Sequence, residues 1–307
     1  MSKMSTDLTR QVLSGPTMGT RWSVVLFAPP GTDLVPLQAG FQATVDEVDR
    51  QMSTWTPDSD LMRFNRAPVG VWHPLPPALM EVLETALEIG RASQGAFEIG
   101  MGDAVRAWGF GPVPADEAAI RAARAKLRRP SFEVLELALG RNCARKTAEI
   151  TLDMCGIAKG YGVDRLIREA KAHGLSHALA AIDGELAALG AQPDGRGWTV
   201  ALEKPEIGTR AIHSMFEIKD MALATSGDYR HFVTLGDRHL AHTMDPATGA
   251  PLLKSPASVT VLAQSCMRAD AIASAVMVLG ATRGKALAAR LGAEVVALED
   301  RAAASRA

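Results

Sequence analysis

A lysine flanked by glycines, in the sequence GIAKG at residues 156–160, constrains the rest of this chain more than any other stretch. The apolar residues after it recur at helical spacing to about residue 173, which predicts that the lysine stands at the start of a helix. A helix N-terminus favours an anion, the small residues let a phosphate approach the backbone, and Lys159 adds a positive charge. Glycine-rich turns before helices are also common where no phosphate binds, so other segments must support the hypothesis.

Short strands and amphipathic helices alternate along the chain, without a fixed repeat, a low-complexity segment or a linker that marks a domain boundary. We predict strands at residues 21–27, 132–139, 149–152, 177–182, 186–189, 198–202, 214–218, 221–225, 258–262 and 294–298, and helices at 37–52, 76–93, 116–127, 266–279 and 282–291, besides the helix that GIAKG opens and that ends near residue 173. A single domain over residues 1–307 is expected, with short flexible tails at about 1–15 and 300–307.

The segment at residues 52–65, MSTWTPDSDLMRFN, is predicted to be a loop. Trp55 has two interpretations that the sequence leaves open. A surface turn with a buried tryptophan is the commoner outcome, and an aromatic lid over a planar ligand is the alternative.

Composition excludes some classes of partner. Among 307 residues, 47% are hydrophobic and 22% charged, which is ordinary for a globular protein, and the net charge is −1. A chain with so little net charge has no general attraction for nucleic acid or for an anionic bilayer. We therefore expect no nucleic-acid partner and, since no segment approaches the ~20 apolar residues of a membrane span, no membrane insertion.

The three cysteines, Cys143, Cys155 and Cys266, are widely spaced and form no CxxC or Cys/His cluster. Neither a disulfide framework nor a zinc site is predicted. The first residues contain no apolar stretch of signal-peptide length and no lipid-anchor cysteine. The sequence therefore predicts a cytoplasmic protein.

Asp270 and Ser274 are four residues apart near the start of a predicted helix, so both present oxygen on one face. Oxygen ligands suit a hard cation such as Mg²⁺, which commonly completes its shell with water and substrate phosphates. The alternative is an aspartate favoured by the helix dipole beside an exposed serine.

His242 lies in the sequence HTMDP, between a predicted hairpin strand and the turn at Asp245-Pro246. A histidine held by the backbone beside a carboxylate is suited to act as a general base. Most histidines in a protein of this size are surface or packing residues, which is the alternative here.

Six segments resemble blocks of the FAD:protein FMN transferase family, the ApbE-like flavin transferases, in that family's order. They are MSTWTPDSDLMRFN, AWGFG, GIAKGYGVDR, ATSGDYR, HTMDPATGAP and SVTVLAQSCMRADAIASA. One block could arise by chance, but six in register are specific. The resemblance covers about residues 19–280 and implies an α/β (α+β) fold of mixed, largely antiparallel sheets packed by helices.

The resemblance also implies a reaction, in which FAD binds with Mg²⁺ on its diphosphate, FMN passes to a threonine or serine hydroxyl of an acceptor protein, and AMP is released. By match, His242 is the catalytic histidine, and the metal is held by Asp270, Ser274 and the carbonyl of Ala158. The family more often has threonine where Ser274 stands. The residues assigned to FAD are Met52, Trp55, Ala158, Lys159, Asp183, Glu185, Ser226, Gly227 and Asp228.

The chain departs from the family pattern at two places, of which the first lies near the expected nucleotide and the second in the loop before AWGFG. It reads Asp183-Gly184-Glu185 where the family usually has Gly-Gly-Asp, and Glu98-Ile99-Gly100 where the family usually has Asp-Pro-Thr. Two alternatives to transfer therefore stay open, which are FAD binding without catalysis and hydrolysis of FAD to FMN and AMP. The expected partners are FAD and an acceptor protein, and a homodimer is left open.

Overall fold

The computed structural model describes residues 8–205, 211–228, 232–235 and 238–299. The helices are α1 (Val35–Met52), α2 (Asp60–Arg66), α3 (Pro77–Ala92), α4 (Gly102–Ala107), α5 (Glu117–Ala125), α6 (Ser131–Val134), α7 (Ala158–Ala172) and α8 (Cys266–Arg290). The strands are β1 (Thr9–Thr17), β2 (Thr20–Ala28), β3 (His73–Pro74), β4 (Leu135–Ala138), β5 (Cys143–Lys146), β6 (Ala178–Ile182), β7 (Glu185–Leu189), β8 (Trp198–Glu203), β9 (Ile212–Ile218), β10 (Ala222–Gly227), β11 (Phe232–Leu235), β12 (Arg238–Ala241), β13 (Met244–Asp245), β14 (Ala250–Pro251), β15 (Ser258–Ala263) and β16 (Glu294–Glu299).

A seven-stranded sheet forms the centre of the fold, in the order β1-β2-β6-β7-β10-β15-β16. Every neighbouring pair in it is antiparallel. Smaller antiparallel sheets pair β3-β5-β4, β8-β9, β11-β12 and β13-β14. The predicted fold class, helices packed on largely antiparallel sheets, is therefore confirmed.

The two faces of the central sheet are covered differently. Because side chains alternate along a strand, Trp22, Val24 and Leu26 of β2 point to the face where α1 and α7 pack. Val25 and Phe27 pack instead with the core formed by the β8–β9 hairpin on the opposite face. The sheet is thus enclosed between a helical layer and a hairpin, and the ends of its strands are left to build a site.

Helices α7 and α8 are fastened together at the start of α8. The Asp164 carboxylate on α7 accepts hydrogen bonds from Ser265 Oγ at 2.7 Å and from the amides of Cys266 and Met267 at 2.8 and 3.0 Å. A carboxylate in this position satisfies amide groups that have no partner within the helix and complements the helix dipole. The first turns of α8 are therefore fixed against α7.

Helix α8 bends at Gly280, whose backbone is non-helical with φ of 73°. The bend separates the two predicted helices, 266–279 and 282–291. In the described part of the chain, α8 alone has the length and apolar composition that a membrane-spanning helix requires. Residues such as Ala271, Ala273 and Val276 are fully buried in the protein core, which accounts for that composition without a bilayer.

Residues 9–15 of the predicted N-terminal tail belong to a strand. Residues from Thr9 onward form β1, which pairs with β2 from Thr9 opposite Ala28 to Thr17 opposite Thr20. The connecting turn at Met18-Gly19 has positive φ at both positions, as a tight hairpin requires. Sequence patterning missed this strand because, as an edge strand with many exposed polar residues, it shows little hydrophobic alternation. The predicted C-terminal tail, 300–307, lies outside the described residues.

Three local predictions were wrong in whole or in part. The predicted loop at 52–65 contains the start of α2, which Ser59 caps by accepting a hydrogen bond from the Met62 amide and which buries Leu61 and Phe64. Residues 149–152, predicted as a strand, have no regular structure. The strand partner of β4 is β5 instead, and residues 132–134 of the predicted strand 132–139 belong to α6.

Gly160→Ala should destabilise the fold, because a Cβ at Gly160 would lie 2.4 Å from the Cys266 carbonyl oxygen, a backbone atom that cannot move independently. We expect a loss of about 1–3 kcal/mol in the free energy of unfolding, measured by urea denaturation. Gly140→Ala is the control, because no atom lies within 4 Å of the added Cβ there. Equal stability of the two variants would show that the helices are not in close contact at Gly160.

Candidate active site

A cleft of about 310 Å³ opens where α7 begins, beside β7, β10 and α8. The predicted site residues that line it are Lys159, Asp183, Glu185, Ser226, Gly227, His242, Asp270 and Ser274. They come from five separate segments of the chain, so the fold brings most of the predicted site together.

The glycines around Lys159 let α7 and α8 approach closely. The Gly160 amide donates a hydrogen bond to Asp270 Oδ2 at 3.1 Å. A Cβ at Gly156 would lie 2.9 Å from Ser274 Oγ. From the sequence, these glycines were predicted to let a phosphate approach the backbone. The structure shows that they also allow close packing of Asp270 and Ser274 against the start of α7.

Lys159 lies among three carboxylates. Its Nζ is 3.0 Å from Glu185 Oε2 and 3.4 Å from Asp183 Oδ2. Burial by itself would lower the pKa of Lys159, but the carboxylates of Glu185, Asp270 and Asp183 together raise it above its usual range. Lys159 therefore remains protonated at neutral pH and supplies a fixed positive charge in the cleft.

The Asp270 carboxyl is only 3% exposed. Burial and, after it, the nearby Glu185 carboxylate raise its pKa to about 8, although Lys159 and the Gly160 amide act in the opposite direction. Burial also raises the pKa of Glu185, against the effect of Lys159. The single ammonium group of Lys159 does not neutralise the buried carboxyl groups of both Asp270 and Glu185. A further cation bound in the cleft would therefore be stabilised by them.

The two serines of the site are in contact with each other. Ser226 is near the end of β10 and its Oγ lies 3.4 Å from Ser274 Oγ on α8. Ser274 is one helical turn beyond Asp270, as the spacing predicted. A carboxylate and hydroxyls on adjoining surfaces form a set of hard oxygen donors.

Four residues assigned to FAD by the resemblance do not line the cleft. Met52 is 3% exposed within the main hydrophobic core, so it has no surface to offer a nucleotide and that assignment needs correction. Trp55 is 62% exposed on the surface, so the buried tryptophan considered from the sequence is also wrong. Asp228 is buried and accepts hydrogen bonds from Thr243 and Ser255, which makes it part of the support of the His242 loop. Ala158 is the first residue of α7 and packs partly against the main core.

Several cleft residues had not been predicted as site residues. One of them is Asp153, whose Oδ1 accepts the Cys155 amide at 2.7 Å. It lies just before the GIAKG motif in the sequence, and this proximity could have indicated that it belongs to the site. Glu203 reaches the cleft from the end of β8, which no local pattern indicated. Glu98 also lines the cleft, where its two oxygens accept the amides of Gly100 and Ser131 at 2.6 and 2.9 Å.

No cluster of three or more His, Cys, Asp or Glu side chains suited to a metal occurs among the residues that the structure describes. A magnesium site at the start of α7 does not require one. Asp270 and Ser274 supply one carboxylate and one hydroxyl. The pKa of Asp270 is raised because its ionised form is buried near Glu185, and a bound divalent cation would stabilise that ionised form. The residues present therefore fit Mg²⁺ with further oxygen ligands from the backbone, water or a phosphate.

Comparison with known proteins identifies the family. Residues 18–298 match the model of the ApbE family. The FAD:protein FMN transferase of Vibrio cholerae is 35% identical over 284 residues, covering 90% of this chain and 83% of that protein. The Escherichia coli K12 protein of the same name is 33% identical over 294 residues, covering 92% and 82%.

Solved structures agree with the sequence matches. The flavin transferase ApbE from Vibrio cholerae superimposes with a TM-score of 0.80 at 35% identity, covering 92% of this chain and 90% of that one. The apo form of the Pseudomonas stutzeri flavinyl transferase ApbE gives a TM-score of 0.79 at 34% identity, covering 93% and 90%. The resemblance drawn from six sequence blocks is confirmed, and this chain belongs to the ApbE family and is a transferase.

Proposed function

We propose that this protein is a magnesium-dependent FAD:protein FMN transferase, which moves FMN from FAD to a threonine or serine hydroxyl of an acceptor protein and releases AMP. The observation that carries the proposal is the convergence of Lys159, His242, Asp270 and Ser274 on one cleft, in a chain whose relatives are named FAD:protein FMN transferases.

The start of α7 is the proposed site for the FAD diphosphate. The N-cap residue Ile157 has no capping side chain, and the positive end of the α7 dipole lies at the cleft, where the Gly160 amide donates to Asp270. Lys159 adds a protonated ammonium, and Ser226 and Gly227 line the adjoining wall. An anionic diphosphate would take over part of the interaction that Lys159 now makes with Glu185 and Asp183.

Asp270, the Ser274 hydroxyl and the Ala158 carbonyl would hold the metal. Mg²⁺ bound there supplies positive charge that stabilises the phosphate oxygens as the diphosphate bond breaks. Because the raised pKa keeps Asp270 largely protonated at neutral pH, metal binding has to displace its proton, so affinity should increase with pH up to about 8.

His242 has the role of general base. The acceptor oxygen forms a bond to the phosphorus of the FMN half of FAD, the bond from that phosphorus to the oxygen that leaves with AMP breaks, and the acceptor's proton passes to the imidazole. The protein's main contributions are to align these groups and to neutralise charge. His242 is half-buried and lines the cleft, where it can meet an incoming hydroxyl.

Two other functions use the same cleft. A FAD carrier would bind FAD intact, and a hydrolase would use water in place of the acceptor hydroxyl. Transfer is favoured because a carrier has less use for a histidine in the same cleft as a buried carboxylate, and because the relatives bear the transferase name. The cytoplasmic location stays a prediction.

One assay distinguishes the three functions. Purified protein is incubated with FAD, Mg²⁺ and a candidate acceptor, followed by analysis of AMP and of acid-stable flavin fluorescence on the acceptor. Transfer gives AMP together with a labelled acceptor, hydrolysis gives AMP with free FMN, and a carrier leaves FAD intact.

His242→Ala should retain FAD binding and lose transfer by about a hundred- to ten-thousand-fold, because a general base acts mainly on the transition state. Transfer rates and FAD titrations check this. His173→Ala is the matched control, since His173 lies at the other end of α7 beside Glu169. Wild-type transfer in His242→Ala would remove His242 from the mechanism.

Asp270→Ala should abolish both transfer and the enhancement of FAD binding by Mg²⁺, because it removes the charged ligand of the proposed metal site. Ser274→Thr keeps the hydroxyl and should keep both properties. FAD titrations with and without Mg²⁺ test the two variants, and thermal unfolding verifies that they are folded. If Asp270→Ala shows the wild-type Mg²⁺ enhancement, the metal binds elsewhere.

Asp183→Asn and Asp183→Gly should tighten FAD binding by about three- to tenfold, because either change removes a partly screened carboxylate that faces the proposed diphosphate site and pairs with Lys159. Asp183 has φ of 54°, which glycine and asparagine both tolerate. Titration at low salt measures the effect, with Asp194→Asn, a charge removed outside the cleft, as control. Unchanged affinity in both Asp183 variants would show that this carboxylate does not act on the nucleotide.

A further inference from the structure

His242 is carried by an excursion that leaves the central sheet and returns to the same place. Strand β10 ends at Gly227 and β15 begins at Ser258, and these two residues are directly paired. The intervening chain includes the β11–β12 and β13–β14 hairpins, and His242 lies between them. A long excursion of this kind needs its own contacts to place one side chain with the accuracy that catalysis requires.

Asp228, the first residue beyond β10, makes such contacts. It is 8% exposed. Thr243 Oγ1 donates to its Oδ1 at 2.9 Å, and Ser255 Oγ donates to its Oδ2 at 2.5 Å. The Asp228 amide donates to the Ala257 carbonyl at 3.1 Å. One buried carboxylate therefore joins the outgoing chain, the residue after His242 and the returning chain.

The far end of the β13–β14 hairpin is held by different groups. Trp108 Nε1 donates to the Gly249 carbonyl at 2.9 Å, and Met244 is buried in a small core with Ala104 and Ala107. These contacts fix the hairpin as a body. The bond from Thr243 to Asp228 fixes the backbone immediately next to His242.

We infer that Asp228 is a positioning residue for His242, acting through the Thr243 and Ser255 hydroxyls. The inference rests on the proposed function, in which His242 accepts the acceptor's proton. Charge-assisted hydrogen bonds to a buried carboxylate are stronger and more directional than those between neutral groups. Loosening them displaces the imidazole from the acceptor oxygen but leaves Lys159, Ser226 and the start of α7 in place.

The test compares variants that alter hydroxyl–carboxylate bonds. Asp228→Asn replaces the carboxylate that accepts two of them, and Thr243→Val removes one. Asp228→Asn and Thr243→Val weaken the support of His242, whereas Thr248→Val removes a bond of the same type to Asp245 at the exposed end of the hairpin. The first two should lower kcat by roughly ten- to a hundredfold, with the dissociation constant of FAD changed by less than about twofold. Thr248→Val should behave as wild type.

A second measurement does not depend on activity. In protein labelled with ¹⁵N-histidine, the ring signal of His242 is assigned by its absence from His242→Ala. It should shift or broaden in Asp228→Asn and Thr243→Val, while the signals of the other six of the seven histidines stay in place. A variant that fails to fold would move all of them, and Thr243→Val then decides the question alone.

The outcomes separate this inference from the proposed function. Full transfer by His242→Ala contradicts the role of His242 itself. If His242→Ala is inactive while Asp228→Asn and Thr243→Val keep the kcat and ring signal of Thr248→Val, the positioning role is overturned and the proposed function stands. Parallel losses of kcat and FAD affinity would also overturn it, because they indicate general disruption of the cleft.

Discussion

The contact between the start of α7 and the second turn of α8 is the constraint on which the site depends. The Gly160 amide reaches the Asp270 carboxylate at 3.1 Å, and a side chain at Gly160 would collide with the backbone of α8. This contact buries an acidic side chain beside Glu185 and Lys159. Burying charge is costly unless it is compensated, so such a cluster is expected at a functional site rather than in a region that serves stability alone.

The protein's own positive charge compensates the buried carboxyl groups of the site only in part. Lys159 interacts with Glu185 and Asp183, yet Asp270 still has a pKa raised to about 8 by burial and by Glu185. Under the proposed function, the metal supplies the positive charge that is missing beside Asp270. It binds together with the FAD diphosphate, and metal and diphosphate neutralise charge on each other. The same electrostatics explain why neither is expected to bind tightly alone.

Local sequence patterns predicted an element correctly where the residues that form the pattern also make the element's contacts in the folded protein. The GIAKG motif marks the start of α7, and the spacing of Asp270 and Ser274 places both on the cleft face of α8. Strand β1 was missed because its stability comes from pairing along β2, which a polar edge sequence does not reveal.

The remaining differences arise from contacts between residues far apart in the chain. Asp228 lies in a motif that resembles a nucleotide site, but its oxygens accept hydroxyls from Thr243 and Ser255. Met52 ends an amphipathic helix and turns into the core. Glu203 reaches the cleft only because the β8–β9 hairpin folds across the sheet. No local pattern contains this information.

The most direct test of the account is a crystal structure grown with FAD and Mn²⁺, in which anomalous scattering locates the metal. We expect one peak within bonding distance of the Asp270 carboxylate and the Ser274 hydroxyl, in contact with the FAD diphosphate at the start of α7. A metal peak remote from Asp270, or FAD bound with its diphosphate away from Lys159, would contradict it.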